Sequence, residues 1–330
     1  MRRRDLIAGL GGAAAWPVAG WGQQDNRVRR IGVLMPAFPE RDPQAQLRVA
    51  TLELALAKLG WIKDRNVSID YRFPGEDIER ARVFAAELVG RRPDVLIAGG
   101  TPAVAALMKA TRTIPIVFHT IVDPIGQGFV TSLARPGGNV TGFIIHEPPL
   151  AGKWVQLLDK MAPALRRAAY IFNPDEAPFA GEFFRHAESA AAELMIEMIA
   201  AAVHNDGEIE DMLSALARQP NGGVVVDPDG FTGAHRRQII AVTARYRLPA
   251  IYGSRYIVAD GGLFSYGVDV IEPLRQTAAY VDRLLRGEKP ADLPVQASTK
   301  YELVINLKTA RAMGLDVSAD MLSIANEVIE

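Results

Sequence analysis

The chain has 330 residues, 49% of them hydrophobic and 23% charged, with a formal net charge of −1. That length fits two α/β lobes of ordinary size or one large one, with ample core. The near-neutral balance excludes charge-driven binding to nucleic acid, and the absence of cysteine excludes disulfides, thiolate metal sites, cysteine nucleophiles and thiol-linked lipid.

The N-terminus is organised as an export signal over residues 1–22. Arg2, Arg3 and Arg4 precede a Gly/Ala-rich apolar stretch that runs to about Ala19. That stretch is too short to span a bilayer, which needs roughly 20 apolar residues, so no stable membrane insertion is expected. Arg3-Arg4-Asp5-Leu6-Ile7 resembles a twin-arginine signal, though the Sec route stays open. Gly20-Trp21-Gly22 supplies small residues for cleavage before Gln23. A cleaved, soluble protein retained in a Gram-negative periplasm is the expectation.

Strands and helices then alternate. Arg30–Met35 is an apolar run suited to a parallel strand covered on both faces. Pro43–Leu59 has helical spacing and ends at Gly60. Val67–Tyr71 predicts a strand, Ile78–Val89 a helix and Val95–Ala98 a buried strand. Thr101-Pro102 starts another helix, with threonine as its expected N-cap, and Ile114–Phe118 is a strand. The pattern resumes with strands at Ala168–Phe172, Ile196–Ala202, Gly223–Val226 and Pro249–Tyr252. Helices at Pro178–Leu194, Ile209–Leu216 and His235–Tyr246 separate them. A last group follows: a strand at Gly262–Tyr266, a helix over 271–285, a linker over 287–299, a strand at Glu302–Ile305 and a helix at Leu307–Met313.

Alternation of this kind builds parallel sheets flanked by helices. The fold class expected is α/β, with two Rossmann-like lobes. Lobe one is assigned residues 29–122 and 255–298, and lobe two 143–254 and 299–330. The Gly/Pro-rich segment 123–142 is expected to cross between the lobes, and the 287–299 linker to lie beside a crossing.

Ligands of open α/β sheets sit beyond the carboxyl ends of the strands, so the candidates are residues that follow strands. Gly100 and Thr101 offer close backbone approach and a helix N-terminus suited to a carboxylate. Asp227, with Asp229 beside it, and Asn173 with Asp175 offer groups for an ammonium or hydroxyl; each pair is equally readable as turn or helix capping. His119, with Thr120 and Asp123, follows the Ile114–Phe118 strand. Tyr252, followed by Ser254 and Tyr256, and Phe38 offer aromatic walls or ordinary packing. No Walker A loop, GxGxxG, HExxH or GxSxG accompanies them. No metal, cofactor or catalytic residue is therefore expected.

Three segments carry a specific resemblance. The run from Asp123-Pro124-Ile125-Gly126 through Ser132-Leu133-Ala134-Arg135-Pro136-Gly137-Gly138-Asn139 to Thr141-Gly142 is similar to a motif of the ABC transporter substrate-binding family that includes tryptophan- and tyrosine-binding members. Gly262–Asp269 and Thr299–Leu315 resemble two further segments of that family, in the right order. Ile125 and Phe129 depart from its commoner Val and Leu. The resemblance spans about residues 29–318. It implies a type 1 periplasmic-binding-protein fold with a multi-strand hinge, and capture of a solute that the resemblance does not itself fix. Its implied partners are an ABC permease and its ATPase. The candidates after the strands suit a small polar or aromatic amino-acid-like ligand, and a monomer is expected. Rival readings are a ligand-sensing receptor of the same fold, an exported hydrolase and a repressor relative. The last places a DNA-binding helix pair where the export signal stands.

Overall fold

The computed structural model describes residues 27–330; the expected export signal lies outside the described residues. The first lobe begins with β1 (Arg29–Leu34), α1 (Pro43–Lys58), β2 (Val67–Arg72), α2 (Ile78–Gly90), β3 (Val95–Gly99), α3 (Thr101–Ala110), β4 (Ile116–Val122) and β5 (Val140–His146). The second continues with α4 (Leu150–Met161), β6 (Arg167–Phe172), α5 (Ala180–Glu193), β7 (Glu197–Ala202), α6 (Asp206–Ala217) and β8 (Gly222–Val226). It goes on through α7 (Gly230–Ala234), α8 (Arg236–Tyr246), β9 (Ala250–Tyr252), α9 (Arg255–Ala259) and β10 (Phe264–Val268). The chain then returns to the first lobe for α10 (Glu272–Leu285) and β11 (Gln296–Ala297). It ends in the second with β12 (Tyr301–Asn306), α11 (Leu307–Met313), α12 (Ala319–Ile324) and β13 (Glu327–Ile329).

The helices start where their side chains supply the missing acceptors. Asp42 accepts from the Gln44 N–H at 2.7 Å with Pro43 in the first turn of α1; Asp77 does the same for α2 through Arg80. Helix α3 begins at Thr101 itself, with Gly100 at the cap position and no side-chain cap. The expected threonine N-cap is thus displaced by one residue, because Gly100 with φ of +85° makes the turn into the helix.

The first sheet has strand order β11-β5-β4-β3-β1-β2, the second β13-β12-β10-β9-β8-β6-β7. Pairing is parallel except between β10 and β12. Each lobe has apolar residues packed on both faces of its sheet, the requirement for parallel strands.

Three parts of the expected map differ. Residues 143–146, expected to open lobe two, complete β5 of the first sheet. Segment 123–142 joins β4 to β5, which are hydrogen-bonded neighbours, so it stays within the first lobe. Val130 packs in that lobe's core, and Leu133 O accepts from Val295 N. Segment 255–298 is divided: β10 belongs to the second sheet, while α10 packs on α1 and the first sheet. The chain crosses between sheets after β5, after β10 and after β11. The last crossing follows directly on the 287–299 linker. Among the described residues no helix is long and apolar enough to span a membrane.

Candidate functional site

Within each lobe the consecutive strands run in the order 2-1-3-4-5, with the reversal between the first and third. Ligands of such sheets bind outside the carboxyl ends at that reversal. In the first lobe it lies between β1 and β3, whose following loops carry Pro36, Phe38, Gly100 and Thr101. In the second it lies between β6 and β8, followed by Glu176, Phe179, Pro228, Asp229 and Gly230. All of these line one cleft between the lobes, of about 600 Å³ empty volume with its mouth included. Arg48 from α1, Thr120 and Val122 from β4, Ile145 from β5, Val270 and the post-β9 pair Ser254 and Tyr256 complete it.

Of the sequence candidates, Phe38, Gly100 and Thr101 line this cleft, as do Thr120, Asp229, Ser254 and Tyr256, each named beside a candidate; His119, Asp123, Asn173, Asp175, Asp227 and Tyr252 stand behind or beside it. The His119 ring is buried behind Gly99, where an added Cβ would lie 3.0 Å from its Cε1, and its Nδ1 pairs with Thr120 Oγ1 at 2.8 Å. Burial lowers its pKa to about 3, so the imidazole is neutral. Asp123 accepts from the Gly126 N–H in the turn after β4. Asn173 is buried and caps its own turn through the N–H groups of Asp175 and Glu176, while donating to Val203 O. Asp175 is exposed. Asp227 is 0% exposed and accepts from the Tyr170 hydroxyl at 2.5 Å. Burial, then Asp229, pushes its carboxyl well above the usual range. Tyr252 packs in the second-lobe core.

Residues the sequence reading passed over give the cleft its charge. The Arg48 side chain is 2% exposed and makes no salt bridge among the described residues. It donates to Gln44 and stacks 4.7 Å above the Phe38 ring and 5.7 Å from that of Tyr256. Its Nε has no partner. One sequence signal marks it: α1 buries the stripe Ala45, Arg48, Leu52, Leu56, in which a cation is out of place. Across the cleft, Glu176 is 8% exposed. Burial pushes its carboxyl up to about 8, assisted by Asp229, Glu76 and Asp175. Burial also raises Asp229, to about 7, although it accepts from the N–H groups of Thr232 and Asn173.

Two ion pairs bridge the lobes along one edge. Arg236 of α8, 1% exposed, binds Asp42 at 3.1 Å and Asp260 at 2.7 Å. His235 meets Asp206 of its own lobe at 2.6 Å and Glu76 of the other at 3.0 Å. Among the described residues no group of acidic, histidine or cysteine side chains is arranged to hold a metal ion.

Comparison with known proteins places this cleft in context. Residues 40–329 match the family described as ABC transporter substrate binding protein. The chain is 24% identical over 267 residues to a tyrosine-binding protein of Clostridioides difficile, over 81% of this chain and 76% of that one. A Streptococcus pneumoniae ABC domain solved in complex with L-Trp superposes with a TM-score of 0.82 at 27% identity, over 91% of this chain and 99% of that one. A conserved domain protein from Vibrio cholerae gives 0.84 at 27%, over 92% and 100%.

Proposed function

Because this chain belongs to the ABC transporter substrate binding protein family, we propose that it captures a small aromatic amino-acid-like solute between its lobes and hands it to an ABC permease and its ATPase. The observation that carries the reading is a buried cation, Arg48, that makes no salt bridge among the described residues and is set among aromatic rings where the two strand-order reversals face each other. Arg48 and the N-terminus of α3 at Thr101 suit a ligand carboxylate. Phe38, Phe179 and Tyr256 offer faces and edges to a flat apolar body. The tyrosine- and L-Trp-binding relatives support the same class of ligand. The N-terminal sequence supports delivery to the periplasm.

The test is calorimetry with L-tryptophan and L-tyrosine. A micromolar dissociation constant, about −8 kcal/mol, is expected for at least one. Silence from both, with the fold intact, ends the aromatic reading.

Capture by hinge closure has its own consequence. The ligand holds the lobes together through its different affinity for open and closed forms, and the Asp42–Arg236 pair adds to the closed form alone. Asp42→Asn keeps a capping side chain for α1 but removes the charge. It should leave thermal stability unchanged and weaken binding of the responding amino acid about tenfold. Unchanged affinity would mean that the pair does not form part of the closed state.

A further inference from the structure

Glu176 stands on the turn after β6, whose geometry is set by the 3.0 Å bond from its own N–H to Asn173 Oδ1. Among the described residues no donor reaches its carboxylate. The charged groups that face it are acidic: Asp229 at the start of α7, Glu76 from the first lobe's β2–α2 loop, and Asp175 on its own turn. Asp229 is already committed, each of its oxygens accepting a backbone N–H. Among the described residues no neighbouring cation is paired with it. Arg48 stacks on Phe38 and Tyr256, Arg236 is paired with Asp42 and Asp260, and His235 lies between Glu76 and Asp206. Both lobes close over the carboxylate. A Cβ added at Gly230 would lie 2.4 Å from Glu176 Oε2 and 2.9 Å from the Ala37 Cβ of the first lobe.

Closing the lobes thus strips water from a carboxylate and gives it no cation in return. A group so placed either takes up a proton or meets a positive charge brought by the ligand. We propose that Glu176 receives the amino group of the ligand, so that the cleft selects solutes that carry an ammonium and resists closing without one. The ligand class rests on the amino-acid reading given above; the resistance to closing does not. The sign of the pH dependence follows from the buried carboxyl lying at about 8 in the closed form. Hydrated in the open form, the same group titrates in the ordinary range. The closed empty form therefore binds the extra proton. Closure without ligand is favoured at low pH and is lost as pH rises from the ordinary carboxylate range through about 8.

Glu176→Gln has nearly the same shape and carries no charge in either form. Small-angle scattering on ligand-free protein at about pH 9, above the buried value, should find the wild type open and the variant more compact. The wild type should contract at about pH 6, and the variant should contract less, since only Asp229 and the His235–Glu76 pair remain to titrate in it. Equal radii for the two proteins at the higher pH would overturn the resistance to closing. Calorimetry then compares L-tryptophan with indole-3-propionate, L-tyrosine with 3-(4-hydroxyphenyl)propionate, and tryptamine alone. The amine-bearing member of each pair should bind wild type about a hundred-fold more tightly, and Glu176→Gln should erase that margin. Equal binding of the amine-free acids overturns the selectivity while leaving an aromatic solute as the ligand. Tryptamine binding without either amino acid supports Glu176 and removes the amino-acid reading. No binding by any of the three amines overturns both.

Discussion

Gly267→Ala should cost about 4 kcal/mol of stability, among the largest effects a single methyl group produces. The added Cβ would lie 1.9 Å from the carbonyl oxygen of Gly253 and 3.1 Å from the His146 ring. The first contact is with backbone, which has no rotamer to change. Gly267 is on β10, paired with Glu302 of β12, so the strand cannot slide aside without breaking the ladder on its other edge. His146 closes the space from the first crossing and stacks edge-on against Trp154. The residue is therefore fixed where the chain passes between lobes, and the fault would fall on the hinge. Gly181→Ala is the matched control. It stands in the first turn of α5 with nothing within 4 Å of its Cβ position, and should hold or gain up to about 1 kcal/mol. Urea unfolding of both variants measures the difference. A loss under about 1 kcal/mol at Gly267 would mean that the β9–β10 end yields far more easily than a paired strand should.

The places where sequence patterns and structure diverge have physical causes. Alternation of apolar runs with helical spacing located nine of the thirteen strands to within two residues, because burial on both faces leaves an uninterrupted apolar signature; it missed β5, β11 and β13 and stopped four residues short of the end of β4. It could not say to which sheet a strand belongs. Strand β10 reads as a parallel-sheet strand wherever it is placed, and only its pairing with β9 and β12 assigns it to the second lobe. Gly and Pro in 123–142 mark a loop, and a loop between neighbouring strands has the same composition as one between lobes. Within 143–166 the sequence reading names no strand or helix, although Trp154, Val155, Leu158 and Met161 are spaced for one face of α4.

The candidate site was legible to the same degree. Searching after strands found Phe38, Gly100 and Thr101, and beside other candidates Thr120, Asp229, Ser254 and Tyr256, since topology alone decides that those loops meet a ligand. Asp227 also follows a strand, yet its side chain turns onto the Tyr170 hydroxyl; two residues later Asp229 reaches the cleft. Strand-end position locates the loop and does not choose among its side chains. Arg48 lies in mid-helix, fourteen residues beyond the end of β1 at Leu34, where such a search does not look. What marks it is an inconsistency between levels, a charge within an apolar stripe, and such conflicts concentrate at functional positions.

That inconsistency sets up the second large effect. Arg48→Met should weaken binding of the responding amino acid by at least about a hundred-fold, in line with the 2–5 kcal/mol lost when one member of a buried charge pair is truncated. The same change should leave the ligand-free protein as stable as wild type or slightly more so. Burying a guanidinium with an unpartnered Nε costs free energy, and burial already lowers the pKa of this one. Methionine fills similar volume against Phe38 and Tyr256 without that cost, although it forfeits a cation–π contact of about 1 kcal/mol. Opposite signs for affinity and stability distinguish a ligand receptor from a structural arginine, whose removal would lower both. Arg48→Lys sharpens the distinction, because it keeps the charge and loses the planar fork that grips a carboxylate on two bonds. Its affinity should fall between wild type and Arg48→Met. Calorimetry and thermal melts on the three proteins give both quantities. If Arg48→Met binds within twofold of wild type, the carboxylate lies elsewhere in the cleft, and the backbone N–H groups at the start of α3 become its receptor.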